Sequence, residues 1–528
     1  MSLINKKIFL FLTLIFAMYC AVKIGTAWDT GTHLIMGKNR LDYLLSFGSI
    51  DKQLWFSKYF PGISYTLTAF FVTIFPKQYE FQILHLLNLF ISISGIYGLA
   101  RISKTIFNKK IANIVFIIFL FYPAYFGHMA INPKDTVITV SFIWISYYIL
   151  KYLQKPNLYQ NNRNFLLIIS FLIAVGSGVN LVFGGVLIPL IIFVLFEIFL
   201  YKKFINAKFS YKKFLIDISL IVLISYLILV IFWPQVHSNI FTLPFLFLLD
   251  TLSIPPVGAP ATILNGEIYL SSNPSKIYVL TNFILRSPEY LLILYPLSFF
   301  FIFFKNNFFK NKIKNFNYKI YVIIKILVIF LILLSVSPFP LYDGMRKFMF
   351  IIPYFIIVPS LGIYYILSNI HLISNKILLS LLSVLGLIFL FKFFSLTPYQ
   401  YVYLNYLNGK TSNNHTKFEN DYLATSMKEL FEKSKFPKNE VIKLNYCGVG
   451  KGKIKRYLRE FKFSNVKLAK DKKDYDFVVM TNRVNWDSID WKDPNPLKNV
   501  KSCFQSFKGK LISSVSRNGL KLSMIKEN

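Results

Sequence analysis

The feature that most limits what this chain can fold into is the recurrence of apolar runs long enough to cross a lipid bilayer. A spanning helix needs about 20 predominantly apolar residues. In hydrocarbon only a helix or a closed barrel satisfies its own backbone hydrogen bonds. Runs of that kind stand near residues 7–27, 80–100, 111–128, 136–153, 164–178, 181–201, 214–233, 288–304, 319–337, 348–368 and 376–395, which makes eleven. With 55% hydrophobic residues over 528 positions and a mean hydropathy of +0.51, the chain reads as a polytopic α-helical membrane protein. The pair at 164–178 and 181–201 is interrupted by Gly176-Ser177-Gly178 and Gly184-Gly185, as happens where a helix breaks beside a cavity.

Charge then orients the runs. Lys and Arg number 59 against 24 Asp and Glu, a net +35 that in a soluble protein would point to nucleic acid. Here the charges lie elsewhere. The short connections at 6–7, 101–110, 151–163, 202–213, 305–319 and 376 hold 20 Lys or Arg and no acid, so these loops are expected on the cytoplasmic side. Eleven spans starting inside put the N-terminus in the cytoplasm and the C-terminus outside a plasma membrane, the inner membrane of a bacterium. Lys6-Lys7 followed by Ile8 to Ala27 looks like a signal sequence, but the apolar run is long and no small-x-small site follows, so it is expected to stay as the first span. Were 60–76 a span, the 20 basic residues would face outward, so that run is expected to be interfacial or re-entrant.

Two domains follow. Residues 1–395 form a transmembrane catalytic domain with outer loops at 28–79, 129–135, 234–287 and 338–347, the third of them rich in Pro, Ser and Asn and containing Trp233-Pro234 and Pro255-Pro256. From about 396 to 528 the composition turns to Lys, Asp, Glu and Asn. A helical period near Tyr422 to Ser434 and β-like runs at 441–444, 477–480 and 511–513 predict a small soluble α/β domain on the outer face. It carries no GxGxxG, Walker or CxxC pattern, so no nucleotide cofactor is expected. Cys447 and Cys503 would form a disulfide in an oxidising compartment or stand unbonded; the three cysteines are too few for a metal site.

Acids are costly near the membrane, which singles out three on the outer side. Asp29 follows the first span in Trp28-Asp29-Thr30-Gly31-Thr32-His33; Asp135 ends His128-Met129-Ala130-Ile131-Asn132-Pro133-Lys134-Asp135; Asp343 lies in Tyr342-Asp343-Gly344-Met345-Arg346-Lys347. Each is also readable as a solvated boundary residue. A carboxylate in a partly apolar cleft serves as a general base toward an acceptor hydroxyl or amine. Lys134, Arg346 and Lys347 are suited to hold a phosphate, Arg346 with a bidentate fork. A transferase working outside the cell needs a donor anchored in the bilayer, so this combination suits a lipid-phosphate sugar.

The same residues carry a resemblance. The acid after the first span, the Asn-Pro-Lys-Asp second outer loop, the Tyr-Asp-Gly-Met-Arg-Lys loop before a late span and the stretch Thr397-Pro398-Tyr399-Gln400-Tyr401-Val402-Tyr403-Leu404-Asn405 leading to Phe418-Glu419-Asn420-Asp421-Tyr422 resemble bacterial membrane glycosyltransferases of the GT-C superfamily. The closest likeness is to the protein O-mannosyltransferase, dolichyl-phosphate-mannose-dependent branch. It implies transfer of a hexose or pentose from a polyprenyl-phosphate or diphosphate donor to a lipid, glycan or protein acceptor, with Asp29 as base and Asp135 as the acid of the second outer loop. Many members carry Asp-Glu at the first position, whereas Thr30 follows Asp29 here, so the second role passes to His33 or to nothing.

His33, four residues after Asp29, would share its helix face. His33, His128, Lys134, Asp343, Arg346, Lys347 and Glu267 are set down as substrate-binding candidates, Glu267 also being readable as a solvated loop residue like Asp250. Whether a divalent metal takes part stays open, Asp29, Asp135 and His128 being suitable ligand types. Tyr399, Tyr401, Tyr403 and Tyr406 read as an aromatic interface belt. Two competing functions are a flippase or transporter of lipid-linked saccharides, which would be expected to show paired broken helices, and a ligase joining a diphosphate-linked glycan to an acceptor.

Overall fold

The computed structural model describes residues 3–253, 258–336, 339–437 and 440–528, with side chains from residue 7 onward. Pro255-Pro256 and the first residue of the 338–347 loop lie outside these residues. Helix α1 (Leu3–Lys23) leads through a turn at Trp28-Asp29 into α2 (Thr30–Leu45), then α3 (Ile63–Thr73) and α4 (Glu80–Ile106). A helix of eleven residues is roughly 16 Å long, about half the hydrocarbon thickness. So α3 does not cross, as the charge argument required. Gly37 of α2 lies where a Cβ would stand 2.2 Å from the Tyr65 carbonyl oxygen, which lets α3 pack directly on α2.

Among the described residues seven helices are long and apolar enough to cross a membrane: Lys77–Ile106, Asp135–Gln154, Phe183–Tyr201, Tyr211–Ile231, Phe316–Val336, Arg346–Ser368 and Ile373–Ser395. An eighth arises if Tyr278–Arg286 and Glu289–Phe304, bent by 111°, count as one. Two of the eleven expected runs are divided or short. The run at 111–128 divides into α5 (Lys109–Leu120) and α6 (Pro123–His128), because Pro123 starts a new helix instead of continuing the old. The run at 164–178 is a 17-residue helix, Arg163–Val179, short of a full crossing. After α6 comes α7 (Asp135–Gln154), its first residue being one of the three selected acids.

Strands β1 (Ala261–Leu264) and β2 (Glu267–Leu270) form a hairpin in the third outer loop. Its turn residues Asn265 and Gly266 both have positive φ, the conformation that Asn-Gly favours in a two-residue hairpin. The outer domain holds β3 (Ile442–Cys447), β4 (Val466–Leu468), β5 (Phe477–Thr481), β6 (Lys510–Arg517) and β7 (Leu520–Glu527) in one mixed sheet of order β4-β3-β5-β7-β6. β4-β3 and β3-β5 are parallel, the rest antiparallel. The helix Lys451–Glu460 makes the crossover between β3 and β4. A disulfide joins Cys447 to Cys503.

The two halves share one core. A single buried cluster runs from Ala17 in α1 and Ile24 just after it through Tyr399 and Tyr401 to Tyr457 and Ile525 in the outer domain. Backbone meets backbone at two glycines: a Cβ on Gly25 would stand 2.2 Å from the Thr425 carbonyl oxygen, and one on Gly127 2.1 Å from the Tyr401 nitrogen. The expectation of a tyrosine belt fails here. Tyr399, Tyr401 and Tyr403 are each 1% exposed and donate to Glu429, Asp421 and Glu289, so they knit the junction, and of the four only Tyr406 is exposed. Their hydroxyls are paired with buried or part-buried carboxylates, which an interface belt would instead leave to headgroups and water.

Candidate active site

The turn after α1, the first residue of α7 and the start of Arg346–Ser368 converge beneath the outer domain. At their meeting point Arg346, 5% exposed, pairs with all three selected acids. Its Nη2 lies 3.1 Å from Asp29 Oδ2, its Nε 2.7 Å from Asp135 Oδ2 and its Nη1 2.9 Å from Asp343 Oδ2. A planar guanidinium has five N–H donors in fixed directions, so one Arg can orient three carboxylates where a Lys could not. Asp343 is held for this by a left-handed backbone, with φ of +60° there and +63° at Gly344. Gly344 also clears Arg286, whose Nε would sit 3.0 Å from an added Cβ.

Each acid has a second support. Asn132 Nδ2 donates to Asp135 Oδ2 at 2.8 Å while its Oδ1 accepts from the Asp135 amide at 3.2 Å. Asp343 Oδ1 lies 2.9 Å from Nη2 of Arg483, which comes from the loop after β5 in the outer domain. Arg483 Nη1 in turn donates to the Tyr422 carbonyl at 2.5 Å, and Glu419 Oε1 lies 3.8 Å from its Nε. Among the described residues Asp29 has no such second partner, and it keeps 41% of its side-chain surface accessible, against 10% for Asp135 and 2% for Asp343. Of the three, Asp29 alone offers a carboxylate edge to an incoming group.

Electrostatics divide the site further. Burial pushes the Asp29 carboxyl up, but the charges of Arg346, His33 and Lys134 outweigh it and hold the group well below the usual carboxylate range. Burial brings the His33 imidazole down to about 4 against the pull of Asp29, so it is neutral at neutral pH. Its ring stacks on Tyr65 with centroids 4.4 Å apart, and its buried Nδ1 has no hydrogen-bond partner. Burial, with the Lys347 charge second, brings the Lys134 ammonium down to about 7. Among the described residues neither Lys134 nor Lys347 is paired with a carboxylate. Lys134 lies 4.5 Å over the Phe60 ring and Lys347 4.5 Å over the Tyr342 ring. Two Arg charges, Arg346 and Arg483, face three Asp charges, so Lys134 and Lys347 complete the balance and, with no carboxylate paired to either among the described residues, are placed to receive an anion.

Asp29, Asp135, Asp343, Arg346, Lys134, Lys347 and His33 are therefore brought together. His128 is close but fully buried, its Nε2 2.9 Å from the Tyr422 hydroxyl and its Nδ1 3.3 Å from Asn132 Nδ2, so it supports the wall and is not open to a ligand. Glu267 is not part of the site. It lies exposed on β2, because the Asn265-Gly266 turn projects that end of the hairpin into solvent. Nor do Asp29, Asp135 and His128 form a ligand set. Among the described residues no three His, Cys, Asp or Glu side chains are arranged to hold a metal ion, and the Arg346 guanidinium stands between the carboxylates. Arg483, Glu419 and Asn132 were not anticipated as site residues.

No protein-family model matches the chain, and no curated protein matches its sequence. Solved structures do. ArnT from Cupriavidus metallidurans in the apo state aligns with a TM-score of 0.51 and 11% identity, over 99% of this chain and 98% of that one. The chain has the fold of ArnT. ArnT bound to undecaprenyl phosphate matches equally, with the same TM-score of 0.51, identity of 11% and coverage of 99% and 98%. A looser match, TM-score 0.47 and 12% identity over 91% of this chain and 70% of that one, is to the archaeal oligosaccharyltransferase AglB from Archaeoglobus fulgidus in complex with an inhibitory peptide and a dolichol-phosphate. The ArnT likeness runs the length of both chains, so it takes in the membrane helices and the C-terminal domain of this chain alike.

Proposed function

We propose that this protein is a membrane glycosyltransferase that moves a sugar from a polyprenyl-phosphate or diphosphate donor to an acceptor at the outer face of the membrane. The observation that carries this reading is the Arg346 clamp, which leaves Asp29 partly open beside two cations, Lys134 and Lys347, that have no carboxylate partner. The resemblance to GT-C glycosyltransferases supports it, as does the ArnT fold, one structure of which holds undecaprenyl phosphate. The outward position of the site and of the 396–528 domain rests on the 20 basic residues of the opposite loops.

In this reading Lys134 and Lys347 receive the donor phosphate and neutralise the charge that grows as the bond from the anomeric carbon to the phosphate oxygen breaks, that oxygen keeping the electron pair. An acceptor hydroxyl or amine donates its hydrogen to Asp29 and attacks the anomeric carbon with a lone pair. A carboxylate held this low is a weak base toward a neutral hydroxyl. It takes the proton once the new bond has made the nucleophile acidic, and passes it to the departing phosphate or to water. Low basicity keeps Asp29 ionised at every working pH, and Arg346 keeps it aimed.

The test is a screen of polyprenyl-phosphate and diphosphate sugars with purified protein in lipid discs, read by mass spectrometry of the products. The expected result is sugar transfer or donor hydrolysis by the native protein and neither by Asp29→Asn. Turnover that survives Asp29→Asn undiminished would remove Asp29 from the reaction, and net movement of donor across a vesicle membrane without bond cleavage would establish a flippase instead.

A further inference from the structure

A large cavity lies outside the Arg346 site. It has a volume of about 860 Å³ and is enclosed by the end of α1, the first turns of α2, the segment Lys77–Gln82 and the outer-domain helix Lys451–Glu460. Trp28 forms the wall between the two sites: it lines the cavity on one side, and on the other its ring lies 5.3 Å from the Arg483 guanidinium. The residue that follows Trp28 is Asp29, so the cavity lies one residue along the chain from the proposed base.

The lining has two characters. Toward the membrane helices it is apolar, with Val22 of α1 40% exposed and Ile35 of α2 52% exposed. Toward the outer domain it is cationic. Lys38 and Glu80 neutralise one another at 2.8 Å and Lys453 spends its donors on the carbonyls of Thr26, Leu423 and Ala424, after which four cations, Lys77, Lys428, Arg456 and Arg459, face the single acid Glu460. Arg456 lies 4.3 Å over the Phe81 ring and 4.5 Å over the Tyr457 ring, and one of its terminal nitrogens donates to Thr26. Its Nε is buried with no hydrogen-bond partner. A volume in this range suits a small-molecule headgroup.

We infer that this cavity is the acceptor pocket and that its occupant is an anionic membrane amphiphile, a lipid that sets a phosphate-bearing head against Arg456, Lys77 and Lys428 and leaves its chains along Val22 and Ile35. An acidic peptide would satisfy the cations but has no use for the apolar lip. This inference rests on the transferase reading for the word acceptor, and the binding claim stands apart from it.

Full-length protein in lipid discs is exposed to photoactivatable phosphatidic acid, or to phosphatidylcholine carrying the same chains, and cross-linked peptides are located by mass spectrometry. Phosphatidic acid is expected to label the segments 77–82 and 450–460 at least roughly tenfold more than the choline lipid. The blocking variant is Gly452→Glu, chosen because a Cβ there meets nothing within 4 Å and an acid suits the first turn of a helix. It should reduce labelling roughly tenfold and leave polyprenyl-phosphate binding unchanged, and Gly31→Leu, also into open space, should do the same without adding charge. Equal labelling by both lipids, insensitivity to both variants, displacement by an acidic peptide but not by lipid, or displacement by polyprenyl phosphate would each overturn the pocket as drawn. If phosphatidic acid labels as expected but no donor supports transfer, the transferase reading fails and the lipid site remains. If transfer proceeds to a neutral soluble acceptor and Gly452→Glu leaves the acceptor KM unaltered, the acceptor assignment fails.

Discussion

Arg346 and Asp29 are 317 residues apart in the chain and 3.1 Å apart in the fold. The same guanidinium holds Asp135 and Asp343, so three buried or half-buried carboxylates depend on one cation. Removing one member of such a group strands the others: Arg346→Ala should destabilise the protein by about 3–5 kcal/mol, visible as a lower Tm in detergent. Arg346→Lys keeps the charge but not the fork. It should fold, with Tm within a few degrees of the native protein, and lose kcat/KM by about 100-fold or more because Asp29 and Asp135 are no longer aimed together. Equal activity of the Lys variant would show that charge alone suffices.

Asp29→Asn tests the opposite end of that pair. It preserves shape and one hydrogen-bond acceptor and removes the proton sink. The expected loss is about 100- to 10,000-fold in kcat with donor Kd changed by less than roughly threefold. A large weakening of donor binding with kcat intact would reassign Asp29 to substrate recognition.

Lys134 supplies the pH signature. With its ammonium brought down to about 7, chiefly by burial, the unliganded site carries that charge below pH 7 and loses it above. Affinity for a donor phosphate should therefore be highest on the acid side and fall as pH rises through about 7, by roughly tenfold. Lys134→Arg, charged throughout, should flatten the profile. Isothermal titration with a non-hydrolysable polyprenyl phosphate across pH 5.5 to 8.5 checks this, and an affinity that climbs with pH would exclude Lys134 as the phosphate partner.

The membrane class, the three boundary acids and the existence of a C-terminal domain were legible because each leaves a local mark: length of apolar run, cost of a boundary acid, a change in composition. Pairings across hundreds of residues leave none. Arg483 lies outside every stretch that reads as a motif, although a usable signal exists in retrospect: only nine of the 59 basic residues are Arg, and four of those nine, Arg40, Arg286, Arg346 and Arg483, are buried. Where Lys is the prevailing basic residue, an Arg marks a place that needs the fork. The broken helices escaped because hydropathy averages over a window and does not sense that Pro123 starts a new helix.

Arg483 ties the outer domain to the membrane site through Asp343, and its own carbonyl accepts from the Cys503 amide at 2.8 Å beside the disulfide to Cys447. Arg483→Gln should lower kcat without moving donor Kd, by loosening Asp343 and with it Arg346. Glu419 beside it gives a stability readout. Burial, opposed by Arg483, raises its carboxyl to about 7, above its ordinary value, so the folded state binds that proton more tightly than the unfolded state does. The stability from this group is fully present below about pH 4.5 and is lost as pH rises through about 7, a difference of about 3 kcal/mol. Glu419→Gln should remove that part of the Tm dependence between pH 5 and 8. A native Tm that rises across this window in step with Glu419 would reverse the assignment.

Orientation of the whole molecule is the remaining dependency, since a donor site at Asp29 has meaning only on the side where the lipid-linked sugar is presented. Two exposed positions report it: Asn157, in a basic connection, and Lys410, in the segment leading to the outer domain. The native background is quiet, with Cys20 buried and Cys447 bonded to Cys503. In intact cells a membrane-impermeant maleimide should label Lys410→Cys and leave Asn157→Cys unlabelled until the membrane is opened. The 20 basic residues that share the side of Asn157 make this the favoured outcome, because each resists transfer across the bilayer during insertion. Labelling of Asn157→Cys from outside would invert the topology, place Asp29 and the outer domain in the cytoplasm, and remove the reason for a lipid-anchored donor.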